Sequence, residues 1–166
     1  MFAAQTIDTS DKAAFHRELA TQLKALLDGE RDPMANAANT AALIFQMMPD
    51  LNWAGFYFMQ SDDELVLGPF QGKPACVRIA VGRGVCGTAI DLGTSMVIKD
   101  VHDFPGHIAC DPDSRSELVV LLMDGDDAAF GVIDLDSPVP GRFDKVDQAG
   151  IEALAAIYVA ACDWEE

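Results

Sequence analysis

NWAGFYFM (Asn52 to Met59), a polar turn at Ser61 to Glu64, and ELVLGPF (Glu64 to Phe70) form the stretch on which the fold turns. Aromatic and β-branched residues crowd both arms, and short polar or glycine-bearing segments end them, the pattern of two strands joined by a hairpin. ACVRIAV (Ala75 to Val81) follows as a further strand, with Cys76 at its start. VGRGVCGTAI (Val81 to Ile90) predicts a tight turn feeding a short helix, with Cys86 at the mouth of the glycine-rich turn. SMVIKD predicts another short strand.

Outside this block the periodicity changes. Ser10 and Asp11 open a helix in which Phe15, Leu19, Leu23, Leu26 and Leu27 keep to one face until Gly29. A second helix starts with Asp32 as cap and Pro33 in its first turn, and stops before Pro49. Downstream, ELVVLLM and AAFGVIDLD flank a turn through Gly125, a second hairpin, and a last helix is capped at Asp144 with Ile151, Leu154, Ala155 and Tyr158 inward. Helices at both ends of a run of hairpin-connected strands predict an α+β domain with one central, mainly antiparallel sheet. The expected domain covers residues 1–166, with 1–10 as a poorly ordered N-terminal arm.

The chain has 166 residues, half of them apolar, enough for one core without disulfide support. Its formal net charge is −16. A surface of that sign repels phosphate backbones and anionic lipid, and the few Lys and Arg are scattered, so neither nucleic acid nor membrane is an expected partner. With no basic, apolar leader at the N-terminus, the expected location is the cytoplasm. In a reducing compartment, clustered cysteines point to thiol chemistry rather than to a permanent staple. Three of the four cysteines, Cys76, Cys86 and Cys110, lie beside glycine, proline or a carboxylate. No pair has finger-like spacing, so a zinc site is not expected.

Cys110 sits in a long irregular loop, Val101 to Ser116, three residues after His107, where loop amides or an imidazolium would favour a thiolate. Asp134 and Asp136 are two apart in a strand and share a face, which suits either a solvated sheet face or a site. Glu117 precedes the strand that pairs with theirs, so three carboxylates can gather near the Cys110 loop. Crowded carboxylates repel, and one tends to keep its proton at neutral pH. Trp53 is a core aromatic or an apolar wall for a ligand. Cys86 is either a working thiol or one that fills a steric gap, and Cys162, at the end of the last helix, reads as a packed structural thiol. Tyr57, His16 and His102 carry no signal beyond packing or surface.

Together NWAGFY, GPFQGKPACVRI, GRGVCGTA, DVHDFPGHIACD and IDLDSP with GRFD resemble the free methionine-(R)-sulfoxide reductases, which are built on a GAF domain. The resemblance implies a cofactor-free reductase converting free L-methionine (R)-S-oxide to methionine through a cysteine sulfenic acid and an intramolecular disulfide. Thioredoxin is the implied reductant. It assigns the nucleophile to Cys110, the main resolving thiol to Cys76 and the third cysteine to Cys86. Glu117, Asp134 and Asp136 become substrate-facing acids, and Trp53 the indole over the substrate methyl. SELVVLL departs from the family's proline-bearing run, and the Gly125 hairpin is slightly longer; neither touches an assigned residue. The competing expectations are a GAF-type small-ligand sensor without catalysis, for which a single domain leaves nothing to regulate, and a structural protein with incidental cysteines. A homodimer stays open.

Overall fold

The computed structural model describes residues 2–106 and 111–164. Two helices open the fold, α1 (Lys12–Leu27) and α2 (Pro33–Met47). Their starts follow from local chemistry: the Asp11 carboxylate accepts from the Ala14 N–H at 3.0 Å and the Asp32 carboxylate from the Ala35 N–H at 2.7 Å. Pro33 at the first helical position gives up an N–H that has no helical partner in any case.

A six-stranded sheet follows, built from β1 (Trp53–Ser61), β2 (Glu64–Gly72), β3 (Arg78–Ala80), β4 (Met96–Ile98), β5 (Ser116–Met123) and β6 (Ala129–Ser137). The spatial order is β3-β2-β1-β6-β5-β4, and every neighbouring pair is antiparallel. Helix α3 (Gly84–Leu92) connects β3 to β4, and α4 (Lys145–Ala161) closes the chain. Asp144 caps α4 in a reciprocal box with Asp147.

Strand alternation sends the sheet's side chains into two cores. Ala54, Phe56, Leu118, Val120, Ile133 and Leu135 pack against α1, α2 and α4. Trp53, Tyr57, Val119, Leu121 and Val132 point the other way, where Val85, Cys86 and Ala89 of α3 meet them. Helix α3 can lie this close because Gly87 faces β3; a Cβ there would stand 2.3 Å from the Ala80 carbonyl oxygen. The expected α+β architecture, with terminal helices on a mainly antiparallel sheet, is what the chain adopts.

Details differ from the sequence reading. The strand expected from Ala75 is only Arg78–Ala80. Cys76 therefore lies in the β2–β3 connection, where its carbonyl accepts from the Tyr57 hydroxyl at 3.0 Å rather than from a ladder partner. Glu117 does not precede its strand but is the second residue of β5, paired with Asp136. Cys86 sits inside the first turn of α3. The loop after Asp100 contains a 3₁₀ turn at Val101–Asp103. The N-terminal segment has neither helix nor strand, yet Phe2, Ala4 and Ile7 pack on the larger core and the Gln5 N–H donates to Gln22. His16 is buried, 3.0 Å from Asp147 across the α1–α4 contact, and His102 pairs with Asp100, both structural positions.

Candidate active site

Antiparallel register brings the three acids together. Glu117 stands directly opposite Asp136, and Val119, two residues on, opposite Asp134, so all three carboxyls leave the sheet on the α3 side. Glu117 and Asp134 are 5 and 7 % exposed, so this face is covered, not solvated. Cys86 closes the group from above: its thiol and the carboxylates of Glu117 and Asp134 offer donor atoms within 4.8 Å of one another. Such a thiol-and-oxygen set can compensate a buried cation, whether a metal ion or an ammonium. Oδ1 of Asp134 is buried and accepts no hydrogen bond from the described residues.

Burial dominates the electrostatics. It pushes the Asp134 carboxyl up to about 7, against the hydrogen bonds it shares with Cys86 and Glu117. Burial, reinforced by the Asp134 and Asp136 charges, holds the Glu117 carboxyl well above the usual range. Asp136 is raised in the same way by burial and by Asp134 and Asp111. The Cys86 thiol is raised too, first by burial and then by Asp134, Glu117 and Asp136, so at neutral pH it remains a thiol. Without a cation in it, this pocket stores protons.

Trp53 forms an apolar wall of the same cavity. Its indole stacks on Phe70, with ring centroids 5.3 Å apart, and on Tyr57 at 5.9 Å. It lies flat because Gly55 leaves the floor open: a Cβ on Gly55 would sit 2.6 Å from the indole edge. The indole N–H donates to the Lys73 carbonyl at 3.1 Å.

Of the residues singled out in the sequence, Trp53, Cys86, Glu117, Asp134 and Asp136 line one cavity. Cys76 is half-buried in the adjoining β2–β3 connection, whose Pro74 and Ala75 also line the cavity. Cys110 and His107 lie outside the described residues. Cys162 is remote: it caps the end of α4, buried against Asn36, as a packed thiol. Sequence reasoning missed Asn52, Tyr57, Lys73, Asp111 and Ser114, which line or brace the same region. They adjoin the aromatic and cysteine motifs, but nothing in their own spacing sets them apart.

The GAF domain profile matches residues 35–163. A free methionine-R-sulfoxide reductase of Escherichia coli (strain K12) is 51% identical over 146 residues, covering 88% of this chain and 87% of that protein. The free methionine-R-sulfoxide reductase of Saccharomyces cerevisiae is 40% identical over 158 residues, covering 92% and 88%. Among solved structures, the free methionine-R-sulfoxide reductase of Neisseria meningitidis in complex with its substrate superposes with a TM-score of 0.91 at 43% identity, over 97% of this chain and 95% of that one. With near-complete coverage in sequence and in fold, the chain belongs to the GAF-domain free methionine-R-sulfoxide reductase family.

Proposed function

We propose that this chain reduces free L-methionine (R)-S-oxide to L-methionine by thiol chemistry at the cavity between α3 and the sheet. The observation that carries the reading is the cluster of Glu117 and Asp134, both buried, with the half-buried Asp136: burial raises all three carboxyls, and neighbouring negative charge adds to the shift of Glu117 and Asp136. A free amino acid brings an α-ammonium that a residue inside a polypeptide lacks. In a water-poor pocket that ammonium favours ionised carboxylates, so its arrival lets Asp134 and Asp136 release protons and form charge-assisted contacts. Glu117 keeps its proton and is placed as donor to the sulfoxide oxygen. The Trp53 indole offers the S-methyl group an apolar face, a contact worth ~0.3–1.5 kcal/mol.

Cys110 takes the role of nucleophile. Its thiolate attacks the sulfoxide sulfur while the oxygen takes a proton from Glu117; in the collapse of the adduct the oxygen passes to the Cys110 sulfur as the substrate S–O bond and the transient S–S bond break, so methionine leaves with the electron pair and Cys110 remains as sulfenic acid. Cys76 then attacks the sulfenic sulfur; the S–O bond breaks, water leaves and a Cys76–Cys110 disulfide forms. A dithiol reductant, thioredoxin by the family resemblance, restores both thiols. Cys86 is the third thiol of this chemistry, but its surroundings oppose a thiolate until a cation neutralises them, which favours a later relay over the first attack. A cytoplasmic location, where thiols stay reduced, suits the cycle.

The test is Cys110→Ser in a single turnover with free methionine (R)-sulfoxide. It should form no methionine, while Cys76→Ser should still release one equivalent. Substantial methionine from Cys110→Ser moves the nucleophile to another thiol.

A further inference from the structure

The loop segments that carry Cys76 and follow Cys110 are both fastened to the start of β1. The Lys73 carbonyl accepts from the Trp53 indole N–H at 3.1 Å and the Cys76 carbonyl from the Tyr57 hydroxyl at 3.0 Å, so the segment Lys73–Cys76 is tied down at both ends. Asp111 is the residue after Cys110 in the sequence. One of its carboxylate oxygens accepts from the Lys73 ammonium at 3.1 Å and from the Asp113 N–H at 2.9 Å. The other accepts from the Asn52 side-chain amide at 3.3 Å, and the same amide donates to the Ser114 hydroxyl at 3.0 Å.

Asp111 is also the exception among the carboxyls here. Glu117, Asp134 and Asp136 are driven towards the neutral form. Asp111, buried close to them, is held below the usual carboxylate range first by the Asp113 N–H and then by Lys73 and Asn52. A buried carboxylate kept ionised and bonded through both oxygens fixes geometry in a way that a neutral side chain of the same size does not. Lys73 bridges onward to Asp113 at 2.8 Å, so the cation holds both ends of the turn that Asp111 begins.

We infer that Asp111, Lys73 and Asn52 form a clamp that joins the chain next to Cys110 to the segment bearing Cys76, and that this clamp positions the two thiols for disulfide closure. Asp111 and Lys73 enter this inference as positioning residues, acting through the two segments that they join. The step they govern is the attack of the Cys76 thiol on the Cys110 sulfenic sulfur, in which the S–S bond forms, the S–O bond breaks and the oxygen departs as water with the thiol proton. Closure is an intramolecular reaction whose rate depends on how often the two sulfurs meet in line. Loosening one anchor spreads that distribution and leaves the sulfenic acid open for longer.

This inference rests on the proposed Cys110–Cys76 cycle, and the experiment separates the two. Parent, Asp111→Asn, Lys73→Met and Lys73→Arg enzymes react with one equivalent of free methionine (R)-sulfoxide in the presence of dimedone, which traps sulfenic acid. Peptide mapping then gives the ratio of dimedone-capped Cys110 to Cys76–Cys110 disulfide per methionine released. Asp111→Asn and Lys73→Met should raise that ratio by about tenfold, the factor that loss of one hydrogen bond to a charged group supplies, with Lys73→Arg returning towards the parent. The partition ratio does not move if the clamp serves only stability. Should Asp111→Asn fold poorly, Lys73→Met carries the test, because that side chain is 58% exposed. A ratio unchanged from the parent in Lys73→Met overturns the clamp. A parent enzyme that forms no Cys76–Cys110 bridge overturns the underlying cycle instead.

Discussion

Asp134→Asn should flatten the pH dependence of stability in the ligand-free chain. In the folded state burial pushes this carboxyl from an ordinary value of 3.8 up to about 7; in the unfolded state it titrates near its ordinary value. Between those two limits the folded chain binds a proton that the unfolded chain has released, so stability falls as pH rises through the window. One such proton is worth about 1.4 kcal/mol per pH unit while it stays fully bound, and because the folded group is half titrated at its own pKa the window from roughly pH 5 to 7 amounts to about 2 kcal/mol. For a domain of this size that is roughly 4–8 °C in Tm. The sign is opposite to that of a salt-bridged acid such as Asp147, whose carboxyl is opposed by burial but held low by His16 and Lys12 and so loses stability only in strong acid. Because Glu117 and Asp136 share the cluster, the comparison is made between parent and variant rather than from the parent alone. Thermal unfolding followed by circular dichroism across that range should show the parent losing stability more steeply than Asp134→Asn. Parallel curves would mean that Asp134 is already ionised in the folded chain, and the account of its stored proton would fail.

Gly55→Ala should lower stability by ~1–3 kcal/mol, the usual range for overpacking, because its Cβ meets Phe70 at 2.4 Å and the Trp53 indole at 2.6 Å; denaturant unfolding reads the loss, and displacement of the indole should raise KM as well. Glu117→Gln should mainly lower kcat, by ~10²–10⁴-fold if it is the proton donor, whereas Asp136→Asn should mainly raise KM by removing a partner of the ammonium. Steady-state kinetics of the two variants distinguish a donor from an anchor.

Helix starts were legible because capping is local: Asp11, Asp32 with Pro33, and Asp144 each carry the signal within one turn of the helix that they open. The two hairpins were equally plain, since alternation and turn residues are short-range features. The acids at 134 and 136 show the limit of such reasoning. Alternation put them on one face, but whether that face meets water depends on α3, which folds over it only because Gly87 admits close contact with β3. Burial, and with it every pKa shift in the cavity, is a tertiary property. Cys76 shows the converse error, for ACVRIAV has strand propensity throughout, yet the Tyr57 hydroxyl occupies its carbonyl and the strand begins two residues later. Asp111 and Lys73 gave no signal because their partnership joins segments 38 residues apart.

The most direct measurement of the central claim is turnover of three substrates by the reduced enzyme with dithiothreitol, followed by amino-acid analysis: free methionine (R)-sulfoxide, its (S) diastereomer and N-acetylmethionine (R)-sulfoxide. The acid trio built around Glu117, Asp134 and Asp136 predicts methionine from the free (R) form, little or none from the (S) form, and loss of turnover once acetylation removes the ammonium. Equal turnover of the N-acetylated substrate would contradict ammonium capture by these carboxylates, and no methionine from the free (R)-sulfoxide would contradict the proposed reaction itself.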